Sequence, residues 1–468
     1  TLPPQRSEEA QGRKMSSAQR DRDFQVSNRE LSPLLKRYKE QPMMDAKPAV
    51  RSPWLWVPTL YLAEGAPYVM AMTVSVILYK RLGISNTEIA LYTSWLYLPW
   101  VIKPLWSPFV DMFRTKRFWI VAMQLVLGAS FACVALTIPA PAFFRYTLAF
   151  FWIMAFSSAT HDIAADGFYM LGLKEYQQAA FVGVRTIFYR IAMIAAKGIL
   201  VVLAGTLETR GFSVASAWSV TFFLLAAIML ALCLYHLFAL PCPASDRPVP
   251  RDPSRSASAA FLRGFVTFFR RKDIVAILAF FLLYRFAEAQ LVKMVAPFLL
   301  DPRTEGGLGL STAEVGIVYG TVGAIALMLG GLVGGWVISR NGLKYWLWIM
   351  VCAMHLPDAI FIWLSRAMPE SLWLINAAVA VEQFGYGFGF TAYSLFMIMV
   401  CEGEYKTVHY AIATGIMALG MMIPAMSSGW IQTQLGYSGF FLWILVSTIP
   451  GFIVAAMIKI DPAFGRKE

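Results

Sequence analysis

The chain has 468 residues, 58% of them hydrophobic and only 15% charged, with a mean hydropathy of +0.58. Soluble domains run near a quarter charged, so this composition excludes an ordinary water-soluble domain and points to a polytopic membrane protein. The net charge of +12 would suggest a nucleic-acid partner in a soluble protein. Here the bases fall in the N-terminal tail and in alternate loops, which marks membrane topology instead, so no nucleic acid is expected.

Residues 1–52 are polar, rich in Arg, Lys, Gln, Glu and Pro, and are expected to be a disordered basic tail. Met15, Met43 and Met44 are candidate starts within it. No cleavable signal peptide is expected, because the first long apolar run begins near Pro53. Twelve apolar segments follow, each near the roughly 20 residues that span a bilayer. They run 53–79, 87–110, 117–138, 143–170, 178–206, 215–240, 273–300, 312–338, 343–364, 371–400, 406–434 and 438–460. Short connections force antiparallel neighbours. The exception is 241–272, with Pro241, Pro243, Pro248, Pro250, Pro253 and a run of bases from Arg247 to Lys272. It is a cytoplasmic linker between a first bundle, 53–240, and a second, 273–460, which a tail, 461–468, follows.

The expected fold is therefore an all-α polytopic membrane protein of two six-helix bundles. Roughly 17 bases fall in the loops and tail on the side of the termini, with roughly 11 more in the N-terminal tail, against roughly 6 on the other side. Both termini are expected in the cytoplasm. Cys133, Cys233, Cys242, Cys352 and Cys401 show no CxxC or Cys/His ligand spacing, so no disulfide framework and no zinc or other metal site is expected. No cofactor is expected either.

The charges inside apolar segments are the candidate site. Asp162 and Asp166 are four residues apart on one face of the fourth helix, next to His161. The fifth helix answers with Arg185, Arg190 and Lys197. In an antiparallel hairpin, residues at equal depth share an index sum, which levels Asp162 with Arg190 and Asp166 with Arg185. Glu64 lies roughly 16 Å into the first helix at 1.5 Å per residue, near the depth of Arg190. Intramembrane charges are costly and mark ion or substrate paths; the bland alternative is that the pairs only pin two helices. Arg190 suits an anionic group, because its fork binds a carboxylate bidentately. A carboxylate in a drying cavity can carry a proton at neutral pH, and so can His161.

In the second bundle, Arg285 and Glu288 are one turn apart and could simply pair. Lys293 is expected to snorkel to the outer surface. Gly385, Gly387 and Gly389 read as close helix packing or a flexible stretch. Gln383, Tyr386 and Tyr393 are positioned to line a sugar site, with ordinary packing as the alternative. His355 and Asp358 flank Pro357, a kink with local hydrogen bonds. Glu402, Glu404 and Lys406 read as solvated loop charges.

Internal symmetry supports the division. Ala63-Glu64 recurs as Ala287-Glu288, and the turn from Ser107 through Asp111 to Arg117 aligns with Gly335 through Ser339 to Lys344 at nearly the same offset. Duplicated halves around a midplane site are a transporter architecture.

These two turns resemble the repeated loop signature of the major facilitator superfamily. The first keeps Asp111, Lys116 and Arg117; the second keeps Gly335, Arg340, Gly342 and Lys344 but has Ser339 for the Asp. More narrowly, Lys103-Pro104-Leu105-Trp106-Ser107-Pro108-Phe109-Val110-Asp111, Ser157-Ser158-Ala159-Thr160-His161-Asp162-Ile163 and Phe188-Tyr189-Arg190-Ile191-Ala192-Met193 resemble runs of the AmpG-like, muropeptide permease-like branch. The likeness covers helices 2 to 5 well and the second half poorly. His161 stands where muropeptide permeases have Gln, and Phe168-Tyr169-Met170 replaces a more polar continuation.

The resemblance implies a secondary active transporter of the bacterial inner membrane that imports a muropeptide or amino-sugar-containing solute. Coupling to protons is expected, with Glu64, His161, Asp162 and Asp166 as carriers. Substrate-binding candidates are Tyr189, Arg190, Lys197, Arg285, Glu288, Gln383, Tyr386 and Tyr393. Gating candidates are Asp111, Lys116, Arg117, Arg185, Arg340 and Lys344. The partners are a small-molecule solute, protons and the lipid bilayer, and the chain is expected to be a monomer. Alternatives within transport are an exporter, an oligosaccharide transporter or a carrier of another organic anion such as an acyl-CoA. A membrane acyltransferase is the rival class. Its His/Asp set would have to be His161 and Asp162, whose midplane depth argues against catalysis, so no enzyme is expected.

Overall fold

The computed structural model describes residues 51–247, 257–401 and 405–466. Most of the expected tail, the centre of the proline-rich linker, and Glu402 and Glu404 lie outside the described residues. The described residues form helices joined by turns, with no strand among them. Apolar residues all round a helix leave the backbone no polar partner but itself, and a helix satisfies every N–H and C=O internally.

Nine stretches are long and apolar enough to cross a membrane among the described residues. The ninth, Lys406–Met457, is two spans, because Gly436 at φ 65° and ψ 174° turns the chain back on itself. Two further spans have broken or polar character and complete twelve. The spans are α1 (Pro53–Arg81), α2 in two pieces (Asn86–Trp95 and Leu98–Phe113), α3 (Lys116–Thr137), α4 (Phe143–Gly172), α5 (Glu175–Ile194 continuing through Leu200–Thr209) and α6 (Val214–Ala239). After a connecting helix, Ala257–Phe269, come α7 (Ile274–Leu300), α8 (Thr312–Asn341), α9 (Leu343–Ala367), α10 (Leu372–Val400), α11 (406–435) and α12 (437–457).

Side chains fix several starts. Ser85 accepts from the Glu88 N–H at the start of α2, Thr115 from Phe118 at α3, and Ser213 from Ser216 at α6. Ser311 and Glu314 form a reciprocal capping box at α8. Each supplies an acceptor to an amide that the first turn leaves orphaned.

Alternation of the spans puts Pro53, Arg117, Leu240, Leu343 and Phe464 at one end, here the terminal end, and Arg81, Glu208, Asp301 and Met368 at the far end. Arg51 donates to the Leu240 carbonyl at 3.3 Å and Leu343 to Phe464 at 3.0 Å, while Arg303 reaches Met368 at 2.7 Å. Within the first half α1 packs on α5, and α3 on α4 and α6; in the second, α10 packs on α8 and α9.

Glycine brings α5 and α8 together across the two halves. A Cβ on Gly320 would stand 2.0 Å from the Lys197 carbonyl oxygen, and one on Gly205 would stand 2.2 Å from Ala313 N. Both helices carry a π-helical turn at this crossing, Ala195–Ile199 in α5 and Gly316–Val322 in α8; α1 has a third at Met70–Val74. The glycines of α10 serve the same end within the second half. Cβ atoms on Gly385 and Gly387 would each stand 2.0 Å from a carbonyl oxygen, that of Ala353 on α9 and that of Leu327 on α8. The Gly385–Gly389 run is thus close packing.

Candidate functional site

The expected acid–base hairpin exists in part. Asp166 of α4 pairs with Arg185 of α5 at 3.0 Å and accepts from the Tyr61 hydroxyl at 3.1 Å. The Arg185 guanidinium lies over the rings of Tyr61 and Tyr169, 4.8 and 5.1 Å from their centroids. Asp162 does not meet Arg190. It forms an ion pair with Lys103 of α2, a residue the sequence reading used only as a family landmark. The pairing changes because equal depth leaves the direction of each side chain around its helix undetermined.

Glu64 is buried on α1 with Oε2 unpartnered, and Asp166, Arg185 and Lys103 are the charges around it. His161 turns away from this group. Its Nε2 lies 3.0 Å from Gln124 Nε2 of α3, Gln124 Oε1 lies 2.9 Å from His236 Nδ1 of α6, and His236 Nε2 lies 3.0 Å from the Thr59 hydroxyl of α1. That chain ties four helices of the first half together. Adjacent residues on a helix point about 100° apart, so His161 and Asp162 cannot share one site.

Arg190 is partly buried on α5. Among the described residues its side chain has neither an ion pair nor a hydrogen bond. Its Nη2 lies 4.0 Å from where a Cβ on Gly331 of α8 would stand, so it faces the other half. Tyr189 beside it brings its carbonyl to 2.5 Å from the equivalent point on Gly65, seating α5 against α1. Lys197, one π turn further, is buried with its ammonium 4.9 Å from the Tyr319 ring centroid of α8.

In the second half Arg285 donates to the Tyr386 hydroxyl and lies 4.7 Å from the Phe390 ring centroid. No ion pair joins it to Glu288 among the described residues. Tyr393 is buried, its hydroxyl donating to the Phe281 carbonyl at 3.0 Å. Gln383 donates to Glu382 at 3.0 and 3.2 Å. The Pro357 kink is real, a 3-10 turn at Leu356–Asp358, but Asp358 makes none of the expected local hydrogen bonds.

Lys293 corrects another expectation. Rather than snorkelling outward it is 1% exposed and crosses between halves, donating to Thr93 Oγ1 at 2.9 Å and the Met72 carbonyl at 3.4 Å. Other polar ties between the halves gather at the far end. Lys80 meets Asp301 at 2.5 Å, Asn86 meets Gln432 at 2.8 Å and Tyr437 at 3.0 Å, and Thr312 donates to Glu208 at 2.8 Å. Asp301, Asn86 and Tyr437 were missed by sequence reasoning, since each sits at a helix end where polar residues are ordinary.

The gating candidates lie at the terminal end. Backbone N–H groups of Lys116 and Arg117 donate to the Asp246 carboxylate at 2.6 and 3.0 Å, and the Arg117 guanidinium donates to the Leu237 carbonyl. Arg340 lies over Trp336, 4.0 Å from the ring centroid, and Lys344 is exposed. The Asp111 side chain lies outside the described ones.

The Asp162–Lys103 pair carries a direct expectation. Asp162→Asn leaves an unanswered ammonium among helices and should lower stability by about 2 kcal/mol, while adding Lys103→Met should recover most of the loss. Thermal unfolding of the single and double variants in detergent checks this, and equal loss in both would show that the pair is not energetically coupled.

Comparison with known proteins agrees with this geometry. The family model described as Major Facilitator Superfamily matches residues 59–405. The anhydromuropeptide permease of Escherichia coli (strain K12) is 27% identical over 365 residues, covering 77% of this chain and 70% of its own. A solved structure titled as nucleoside transporter NupG superposes with a TM-score of 0.63 at 18% identity, covering 87% of this chain and 99% of that one. One titled as a D-xylose-proton symporter gives 0.63 at 13% identity, covering 88% and 98%. These two carry the fold alone. With two six-helix halves, buried charges between them and these relatives, the chain is a membrane transporter, not an enzyme, and belongs to the major facilitator superfamily, in its AmpG-like branch.

Proposed function

We propose that the chain imports an anionic amino-sugar-containing solute of the muropeptide class across the inner membrane, by alternating access coupled to protons. The observation that carries this reading is Arg190. A guanidinium held partly buried between two halves, with no protein anion of its own, is a ready partner for a solute carboxylate. The relative named an anhydromuropeptide permease supports the choice of solute. The termini are placed in the cytoplasm by the distribution of bases. In that orientation the far-end ties close the outer side, and the substrate path opens inward.

Asp162 and Glu64 are the carriers of choice for the proton. Protonation of Asp162 would release Lys103, which links a proton to a helix contact between α4 and α2. His161, tied to Gln124, serves packing in this reading. Asp166 and Arg185 hold α4 to α5.

The test is uptake of a labelled anhydro-muropeptide into proteoliposomes under an imposed pH gradient. Wild type should accumulate it. Arg190→Ala should lose at least about tenfold in uptake, the worth of one charge-assisted contact. Asp162→Asn should lose gradient-driven accumulation but keep exchange of labelled for unlabelled solute. Uptake in wild type that ignores the gradient would sink the coupling, and full activity in Arg190→Ala would sink the anion site.

A further inference from the structure

Three carboxylates meet inside the second half. Glu288 enters from α7, Asp358 from the 3-10 turn that interrupts α9, and Glu382 from α10. An oxygen from each lies within 4.8 Å of the others, and the residues are 1%, 0% and 1% exposed. Both oxygens of Glu288 and both of Asp358 lack a hydrogen-bond partner. Glu382 is answered by the Gln383 amide.

Like charges this close and this deep cannot stand unanswered. The neighbouring helices offer two positive groups. Lys197 reaches in from α5 over Tyr319 of α8 and faces Glu382. Arg285 lies one turn before Glu288 on α7, but its guanidinium is turned to Tyr386 and Phe390 of α10. Two positive charges against three negative ones leave the group one short.

We propose that Glu288, Asp358 and Glu382 form a binding site for one sodium ion. The donors are carboxylate oxygens, a hard set that suits a hard cation and offers nothing to a soft metal. Oxygens at this spacing can surround one small ion. A monovalent ion completes the charge, whereas a divalent one overshoots it. The broken α9 frees Asp358 from helical packing, and interrupted helices are where transporters of this kind hold ions. The site goes beyond the proton reading and is independent of the solute. It would supply a second driving ion, held in the half opposite Asp162.

Sodium chloride added to the purified full-length protein in detergent is the test, with potassium chloride and choline chloride at equal ionic strength as controls. Sodium alone should raise the melting midpoint in a saturable way, because it binds the folded state. The rise should vanish in Glu288→Gln/Asp358→Asn and persist in the exposed control Asp461→Asn. Direct binding of radioactive sodium to wild type and Glu382→Gln, with at least a tenfold loss expected, serves where the double variant fails to fold. Equal effects of all three salts on wild type with no sodium bound would overturn the site, as would sodium binding that survives these substitutions. Neither readout uses a transported solute, so a failure here is distinct from a failure of the muropeptide reading.

Discussion

Gly320→Ala is expected to destabilise the protein by about 3 kcal/mol, the upper range for an overpacked contact. The new methyl would stand 2.0 Å from the Lys197 carbonyl oxygen and 2.5 Å from its carbon, both of them backbone atoms that no rotamer change can move. Relief requires α5 and α8 to separate, and that crossing is part of the seal between the halves. Gly316 and Gly205 sit on the same seam, where added Cβ atoms would lie 2.8 Å from Val202 N and 2.2 Å from Ala313 N. Gly335→Ala on the same helix is the control. Nothing lies within 4 Å of its added Cβ, so its effect should stay within about 0.5 kcal/mol. Thermal unfolding of the two variants side by side checks this. Matching midpoints would mean the seam is looser than it stands here.

Asp301→Ala is expected to move the balance of conformations rather than only the overall stability. Asp301 accepts from the Tyr437 hydroxyl at 2.5 Å and pairs with Lys80 at 2.5 Å; without it the Lys80 ammonium keeps Asn86 Oδ1 at 2.9 Å. Removing one partner of a largely buried pair costs about 3 kcal/mol or more. That cost falls on the state closed at the far end, since an open far end parts the first-half Lys80 from the second-half Asp301. A shift of that size changes the ratio of states by roughly a hundredfold. Disulfide formation between Thr87→Cys and Thr433→Cys reports it, because those hydroxyls lie 3.3 Å apart across the closed interface. Cross-linking should fall sharply in Asp301→Ala and recover in part when Lys80→Met removes the stranded charge. Undiminished cross-linking in Asp301→Ala would show that the pair does not hold the far end shut.

Depth along the membrane was legible in the sequence, and direction around each helix was not. Span length and hydropathy placed the turn between the last two helices at 434–438, where Gly436 in fact reverses the chain. Equal depth correctly joined Asp166 to Arg185. The same rule failed for Asp162, because Lys103 on α2 presents a base at a matching level from another side. Lys293 failed for the same reason: its depth suggested an outer surface, but its face points at Thr93 in the other half. The carboxylate group of the second half was only partly foreshadowed. Glu288 stood out as the repeat of Glu64, and both prove buried with unpartnered oxygens. Asp358 and Glu382 could not be joined to it from sequence, because no periodicity within a helix tells which faces of α7, α9 and α10 meet.

The three π-helical turns bear on how this chain can be compared with, or cut down to, others of its kind. Each turn at Met70–Val74, Ala195–Ile199 and Gly316–Val322 accommodates a residue that a regular helix would not need. Losing one residue there lets the turn relax to ordinary helix and swings everything beyond it by about 100°. A one-residue gap at such a turn is therefore a change of facing, not a neutral slip in an alignment. For α5 the gap would redirect Lys197 relative to Arg190 while leaving both letters in place. Single-residue deletions at these turns should thus be tolerated far less than substitutions at the same positions.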